Sequence, residues 1–170
     1  LTLPEVLGAA GYRTMIFGKW HLAGKQNTVY PNDRGFDRFY GILGGASSFF
    51  APHSLSRARK NVEREYRENP DYYFTLPIAD NALAFLKEVP KGQPLFLYLP
   101  FTAAHWPLHA PSADIEKYKG QYAMGWDKLR KQRLARMKKL GVVPPKVALS
   151  DRHPNVPAWA NEPNLSLIHI

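Results

Sequence analysis

The chain has 170 residues and a formal net charge of +9, and 45% of its residues are hydrophobic against 22% charged. This composition is typical of a globular domain and excludes a disordered chain, and no apolar run approaches the about 20 residues that cross a bilayer. The absence of cysteine excludes disulfides and thiolate metal sites, and leaves periplasmic, secreted and cytoplasmic locations open.

The amino-terminal residues predict a helix followed by a buried strand. Thr2 and Glu5 have the spacing of a capping box, in which side chains satisfy free backbone N–H groups at a helix start. The apolar run 14–17 then indicates a buried strand. Lys19 and His21 follow it directly, so we expect them in the loop at its carboxyl end.

A second helix and strand are predicted further along the chain. Residues 24–76 are rich in glycine and charge, which indicates turns and irregular loops. Apolar residues at helical spacing over 78–89 predict a helix, and the run 95–99 predicts a second buried strand. The loop after that strand contains His105.

The repeated order of helix and strand is typical of an α/β fold with a central, mostly parallel sheet flanked by helices. In such sheets ligands bind beyond the carboxyl ends of the strands. We therefore expect Lys19, His21 and His105 to lie at one edge of the sheet.

The carboxyl-terminal third combines two predicted helices with a proline-rich stretch. A short helix is expected from Ser112 to Lys119, and a longer one over 126–140. Seven basic residues lie between Lys128 and Lys139. Such a cluster fits either a polyanion-binding surface or the solvated face of an amphipathic helix, and with no nucleic-acid motif nearby we favour the second, without nucleic acid as a partner.

Lys19 and His21 are the residues best suited to chemistry. Lys19 offers a compact positive charge to an oxyanion, and His21 can donate a hydrogen bond or transfer a proton near neutral pH. Taken alone, these residues leave open a surface lysine and a core histidine. His105 and His109 have the spacing of a helical zinc pair, but Pro107 argues against a helix there.

Three segments carry a resemblance to a known family. The segment 11–21, GYRTMIFGKWH, resembles the second signature of the type I sulfatases, the arylsulfatase-like members of the alkaline phosphatase superfamily. The blocks 31–41 and 100–111 are similar to segments that follow it in those enzymes. The resemblance makes residues 1–163 part of a sulfatase catalytic domain, with 164–170 as a tail that does not continue the pattern.

The resemblance implies an alkaline phosphatase-like fold whose sheet is incomplete within this chain. It also implies hydrolysis of sulfate monoesters, with a small-molecule or saccharide sulfate ester as the substrate. Lys19 matches the lysine that holds the sulfate. His21 matches the histidine that hydrogen-bonds the nucleophile, and His105 matches the histidine that contacts the sulfate ester and protonates the leaving oxygen. Catalytic roles are thus expected for Lys19, His21 and His105, with substrate binding by Lys19 and His105.

The family also implies a formylglycine nucleophile and a calcium ion. The nucleophile motif, Cys or Ser-x-Pro or Ala-x-Arg, is not matched, because its nearest imitation at Ser56 ends in Lys60 rather than arginine. We therefore expect the nucleophile before Leu1 and the calcium ligands outside this chain, which would make it an internal fragment without activity of its own. The alternatives are a phosphate or phosphonate ester hydrolase of the same superfamily and a basic polyanion-binding module.

Overall fold

The computed structural model describes residues 1–24 and 28–162. These form two compact units, of which the first is Leu1–Ala110 and the second begins at Pro111. The predicted tail, 164–170, and its His169 lie outside the described residues. No helix among the described residues is both long enough and apolar enough to cross a membrane.

The first unit is built on a five-stranded sheet with the strand order β4-β3-β2-β1-β5. The central strand β1 runs parallel to both of its neighbours, β2 and β5, whereas β3 and β4 are antiparallel additions beside β2. The predicted α/β architecture is confirmed. The strands are β1 Arg13–Lys19, β2 Arg38–Ile42, β3 Leu55–Arg57, β4 Lys60–Asn61 and β5 Leu95–Tyr98.

Three helices and a 3-10 turn accompany the sheet: α1 Leu3–Ala9, α2 Arg64–Arg67, α3 Thr75–Leu86 and the turn Pro31–Arg34. Helix α1 begins as predicted, because the backbone N–H of Thr2 donates to the Glu5 carboxylate at 2.6 Å. Its apolar residues Leu3 and Val6 are 58% and 50% exposed. The described residues therefore cover only about half of each of these side chains.

Side chains alternate across β1 and fill a core on each face of the sheet, as the two-residue period of a strand requires. On one face Met15 and Phe17 pack with residues of β2 and α3. On the other face Ile16 joins a smaller cluster around Trp20. Residues 14–18 are buried, and burial of each large apolar side chain stabilises the fold by about 1.5–3 kcal/mol.

The prediction that residues 24–76 are irregular is wrong, because this stretch supplies β2, β3 and β4. Gly41, which the sequence suggested as a turn residue, lies inside β2. A side chain there is excluded by the neighbouring strand, since an added Cβ atom would lie 1.7 Å from the carbonyl oxygen of Gly18. The glycine therefore allows two backbones to approach closely, and it does not end the strand.

The second predicted strand is present as β5, but it is less buried than expected. Its residues are half-buried to exposed, and Tyr98 is 49% exposed. The reason is its position at the end of the sheet, where β1 is its only strand neighbour within the described residues.

The second unit contains α4 Ser112–Glu116, α5 Gly125–Lys139 and a 3-10 turn at Trp159–Asn161. Helix α5 confirms the predicted helix over 126–140, whereas α4 ends three residues before the predicted boundary. The Trp126 and Trp159 rings pack edge to face with centroids 4.8 Å apart. The Asp127 carboxylate accepts the N–H of Trp159 and pairs with Arg152, which fastens the last described segment to the start of α5.

Candidate active site

Lys19 is the last residue of β1 and lies beside the chain that leaves β5. Its backbone N–H donates to the carbonyl oxygen of Pro100 at 2.8 Å. The side chain is half-buried, and within residues 1–24 and 28–162 its ammonium group has neither an ion pair nor a hydrogen bond. An unneutralised ammonium group at the end of a buried strand is a suitable partner for an anion.

His21 is held by a continuation of strand pairing beyond β1. Trp20 donates its backbone N–H to Ile42 at 2.9 Å, and His21 donates its own to Leu43 at 3.1 Å. The backbone of His21 has a φ of 63°, a left-handed conformation that non-glycine residues rarely adopt. This conformation turns the chain at the carboxyl end of the sheet.

The imidazole of His21 lies directly over Gly45. A Cβ atom added at Gly45 would lie 2.2 Å from Nε2 of His21, so the ring occupies the space that a side chain would fill. Sequence analysis did not find this role for Gly45. Its only signal was a glycine pair, Gly44-Gly45, which is equally typical of a turn.

Close backbone approaches support the end of β1. Gly18 has a φ of 132°, and a Cβ atom there would lie 2.2 Å from the carbonyl oxygen of Pro100. Together with the contact between Gly41 and Gly18, this contact lets the backbones at the ends of β2, β1 and the segment after β5 lie side by side with no side chain between them. Lys19 is thereby brought next to the segment that leads from Pro100 to His105.

His105 lies in the loop after β5, where its backbone N–H donates to Thr102 at 2.8 Å. Its Nδ1 atom lies 2.6 Å from the carbonyl oxygen of Trp106. A carbonyl can only accept, so Nδ1 carries the proton of this hydrogen bond, and Nε2 is the atom left for other partners. The side chain is exposed, and Nε2 can therefore reach a ligand.

His109 has a structural role, and residues 105–109 are not helical. Its Nδ1 atom accepts the backbone N–H of Phe49 at 3.3 Å. The ring also packs against Phe49 and Phe50, with centroids 5.8 and 5.4 Å away. His109 therefore ties the loop after β5 to the loop after β2, an arrangement that no sequence pattern predicts.

Two buried tyrosines lie deeper in the unit. The hydroxyl groups of Tyr40 and Tyr72 lie 2.9 Å apart, and the Tyr40 hydroxyl also donates to Glu65. Burial raises the pKa of Tyr40 strongly and that of Tyr72 to about 12. Both phenols therefore stay protonated near neutral pH and act as structural hydrogen-bonding groups.

The structure places the three predicted site residues at the carboxyl ends of two adjacent parallel strands. Lys19 is the last residue of β1 and not, as expected, part of the loop after it, because it still pairs with Ile42 of β2. His21 follows β1, and His105 follows β5, which pairs with β1. This is the edge at which open α/β sheets bind ligands. Within the part of the chain that the structure describes, no group of three or more His, Cys, Asp or Glu residues could hold a metal ion.

Comparisons with known proteins agree with this architecture. The Sulfatase family model matches residues 1–158. An uncharacterized sulfatase of Schizosaccharomyces pombe is 40% identical over 157 residues, which cover 85% of this chain and 28% of that protein. The arylsulfatase of Klebsiella aerogenes is 37% identical over 149 residues, covering 84% of this chain and 32% of that enzyme.

A solved structure shows the same relationship in three dimensions. Ps i-CgsB, crystallised in complex with k-i-k-neocarrahexaose, superposes with a TM-score of 0.56 at 29% identity, over 68% of this chain and 29% of that one. The chain thus spans less than a third of the length of each of these relatives.

Proposed function

The chain belongs to the sulfatase family, and on this premise we propose that the full-length protein hydrolyses sulfate monoesters, with Lys19, His21 and His105 in its active site. The observation that carries this proposal is the position of an unpaired ammonium group and two exposed imidazoles at the carboxyl ends of β1 and β5. Cleavage of a sulfate ester places negative charge on the leaving oxygen, and positioned cations and donors lower that barrier.

Lys19 is proposed to bind a sulfate oxygen. Its ammonium group has no carboxylate partner among the described residues, so binding an anion would not require breaking an ion pair. Its backbone is fixed by the hydrogen bond to Pro100. The point from which the side chain extends is therefore fixed, and a cation held close to the reacting group lowers the barrier most effectively.

His21 is proposed to hydrogen-bond the nucleophile, which a part of the protein outside this chain would contribute. Its ring rests against Gly45 and its backbone is paired with Leu43. Both contacts fix the direction of the imidazole. A fixed imidazole can hold and transfer a proton without first reorienting.

His105 is proposed to protonate the leaving oxygen. The hydrogen bond from Nδ1 to the carbonyl of Trp106 fixes the ring and leaves Nε2 facing outward. When the ring is protonated, Nε2 can donate to the oxygen on which charge develops. General acid catalysis of this kind contributes about 10²–10⁴-fold to rate.

Calcium is a general feature of this family, but the described residues do not fit a calcium site. Calcium takes about six to eight oxygen ligands, and the described residues contain no cluster of potential metal ligands. The calcium ligands are proposed to come, like the nucleophile, from other parts of the full-length protein.

A saccharide sulfate is the proposed substrate class. Ps i-CgsB, which is similar to this chain, was solved with a bound oligosaccharide, k-i-k-neocarrahexaose. The net charge of +9 also favours polyanionic substrates. A small-molecule sulfate ester is the alternative within the same chemistry.

The test uses the full-length protein and two sulfate esters that differ in leaving group, 4-nitrophenyl sulfate and phenyl sulfate. Lys19→Ala is expected to lower kcat/KM for both by about 10²–10³-fold. His105→Ala should reduce the rate for phenyl sulfate much more than for 4-nitrophenyl sulfate, because the poorer leaving group needs the proton more. His53→Ala, an exposed histidine in the loop after β2, is the matched control.

Faster hydrolysis of 4-nitrophenyl phosphate than of the sulfate would favour the phosphate esterase alternative. Equal rate losses for the two leaving groups in His105→Ala would exclude the proposed acid role.

A further inference from the structure

We propose that the exposed face of α5 is a docking surface for a sulfated polysaccharide. This surface, the cationic stripe, consists of five basic residues on one side of α5: Lys128, Lys131, Arg136, Lys138 and Lys139. The choice of a sulfated polymer rests on the proposed function, whereas the stripe itself rests on the structure of the second unit.

The five cations share one side of the helix. At 3.6 residues per turn they fall within an arc of about 160°, which also contains Gln132 and Ala135 and no carboxylate. Four of the five are exposed, and Lys138 is half-buried. From Lys128 to Lys139 the stripe extends about 16 Å along the axis, at about 1.5 Å per residue.

Within the described part of the chain the charges of the stripe are unpaired, as is the ammonium group of Lys19, whereas many other basic residues have acidic partners. Ten ion pairs join basic and acidic side chains among the described residues. Even in the second unit, Lys117 and Lys119 pair with acidic residues of their own segment. None of the stripe residues takes part in any ion pair within 1–24 and 28–162.

Helix stability does not account for the whole pattern. Basic residues in the last turn interact favourably with the helix dipole, which explains Arg136, Lys138 and Lys139. Lys128 lies in the first turn, where the dipole disfavours a cation. Lys128 and Lys131 are also like charges three residues apart, a spacing that destabilises a helix. Asp127, four residues before Lys131, has a favourable spacing with it, so Lys128 is the stripe residue for which helix stability gives no reason.

The shape of the stripe fits a linear polyanion better than a small ion. Exposed cations in a row do not enclose a ligand, but they can neutralise successive charges of a polymer and release its counterions. Sulfate groups repeated along a polysaccharide supply such charges. Nucleic acid is the competing polymer, and the stripe has no aromatic side chain on which bases could stack.

The experiment measures binding of the chain to dextran sulfate, with uncharged dextran as the reference and duplex DNA as a competitor. The stripe variant combines Lys128→Gln, Lys131→Gln and Arg136→Gln. The matched control removes the same charge from the same unit outside α5, by substituting glutamine for three other residues: Lys117, Lys119 and Lys146. A third variant, Lys128→Arg with Lys131→Arg, keeps the charge.

At about 50 mM salt the stripe variant should bind dextran sulfate at least about tenfold more weakly and with a shallower salt dependence. The control should change by less than about threefold, and the arginine variant should bind like the wild type. Circular dichroism should show the same helix content in every variant as in the wild type.

Equal losses of dextran sulfate binding in the stripe variant and the control would show that binding depends only on net charge, and would overturn the proposal. Preference for duplex DNA over dextran sulfate would assign the surface to nucleic acid instead, and undiminished binding after loss of the stripe would also refute it. Binding needs no turnover, so a protein that binds the polymer through the stripe but releases no sulfate would contradict the proposed function alone.

Discussion

Strands β1 and β5 are parallel neighbours that lead into the two halves of the candidate site, but they are held very differently. Residues 14–18 of β1 are buried between two layers of side chains. Residues 95–98 of β5 are half-buried to exposed. The loop after β1 is hydrogen-bonded on both sides, to Pro100 and to Leu43, whereas His109 ties the loop after β5 to Phe49.

Because of this difference, mutations near the two strands should have different consequences, for the stability of the unit near β1 and for the position of a site residue near β5. The half of the site that carries Lys19 and His21 is fixed by core packing and by close backbone contacts, so changes beneath it should unfold the unit. The half that carries His105 is a surface loop at the end of the described sheet. Changes there should alter the position of a side chain at little cost in folding free energy.

The largest expected effect is the loss of a core side chain beneath the first half. Phe17→Ala should lower the free energy of unfolding by about 3–5 kcal/mol, because the ring is fully buried between β2 and α3. Leu97→Ala on β5 should lower it by less than half as much, since Leu97 is only partly buried. Urea denaturation followed by circular dichroism measures both, and equal losses would remove the distinction between the two strands.

A smaller loss of folding free energy is expected where the backbones of β1 and β2 approach closely. Gly41→Ala places a Cβ atom 1.7 Å from a backbone oxygen of β1 that cannot swing away. It should destabilise the unit by about 2–3 kcal/mol. Gly8→Ala is the matched control, because it lies in α1 with nothing within 4 Å of the new atom. It should leave the thermal midpoint unchanged or raise it, and a drop as large as that of Gly41→Ala would contradict the close-approach argument.

Gly45→Ala tests positioning with little effect on stability. The new methyl group would displace the His21 ring, so the imidazole Cε1–H resonance of His21 should shift while the free energy of unfolding changes by less than about 1 kcal/mol. In the full-length protein kcat should fall by about tenfold or more, because small displacements of catalytic groups are costly. Gly44→Ala, whose Cβ atom would lie 4.0 Å from the carbonyl oxygen of Ala46 with nothing nearer, should show neither change.

The smallest expected effect is a pH dependence of the folding stability, caused by Glu5 at the start of α1. The backbone N–H of Thr2 and the Arg34 guanidinium hold the pKa of the Glu5 carboxyl below its ordinary value of 4.5. A lowered pKa means that Glu5 contributes stability above about pH 4.5, and that this contribution is lost as the pH falls through the folded pKa. In acid titrations followed by circular dichroism, Glu5→Gln should lack this component, and identical profiles would show that the capping contact is not stabilising.

The sequence correctly predicts the helices and strands that are determined by residues close together in the chain. The capping box of α1, the helical spacing in α3 and α5, and the apolar run of β1 each lie within one short segment, and all of them are found in the structure. The sites of Lys19, His21 and His105 at the strand ends follow from the same order of elements.

What the sequence misses depends on contacts between distant segments. Gly41 and Gly45 look like turn residues, and only the neighbouring strand and the His21 ring show why a side chain is excluded at each. The exposure of β5 and the clamp between His109 and Phe49 are equally non-local, because they depend on strand order and on the meeting of two loops.

The central claim is that Lys19, His21 and His105 form one anion-binding site, and a sulfate titration followed through the histidine Cε1–H resonances tests it most directly. The account predicts that the His21 and His105 signals shift together with a single dissociation constant, and that Lys19→Ala abolishes both shifts. The exposed histidines His53 and His153 should not move. Separate constants for His21 and His105, or equal shifts in all four histidines, would show that the strand ends do not form a shared site.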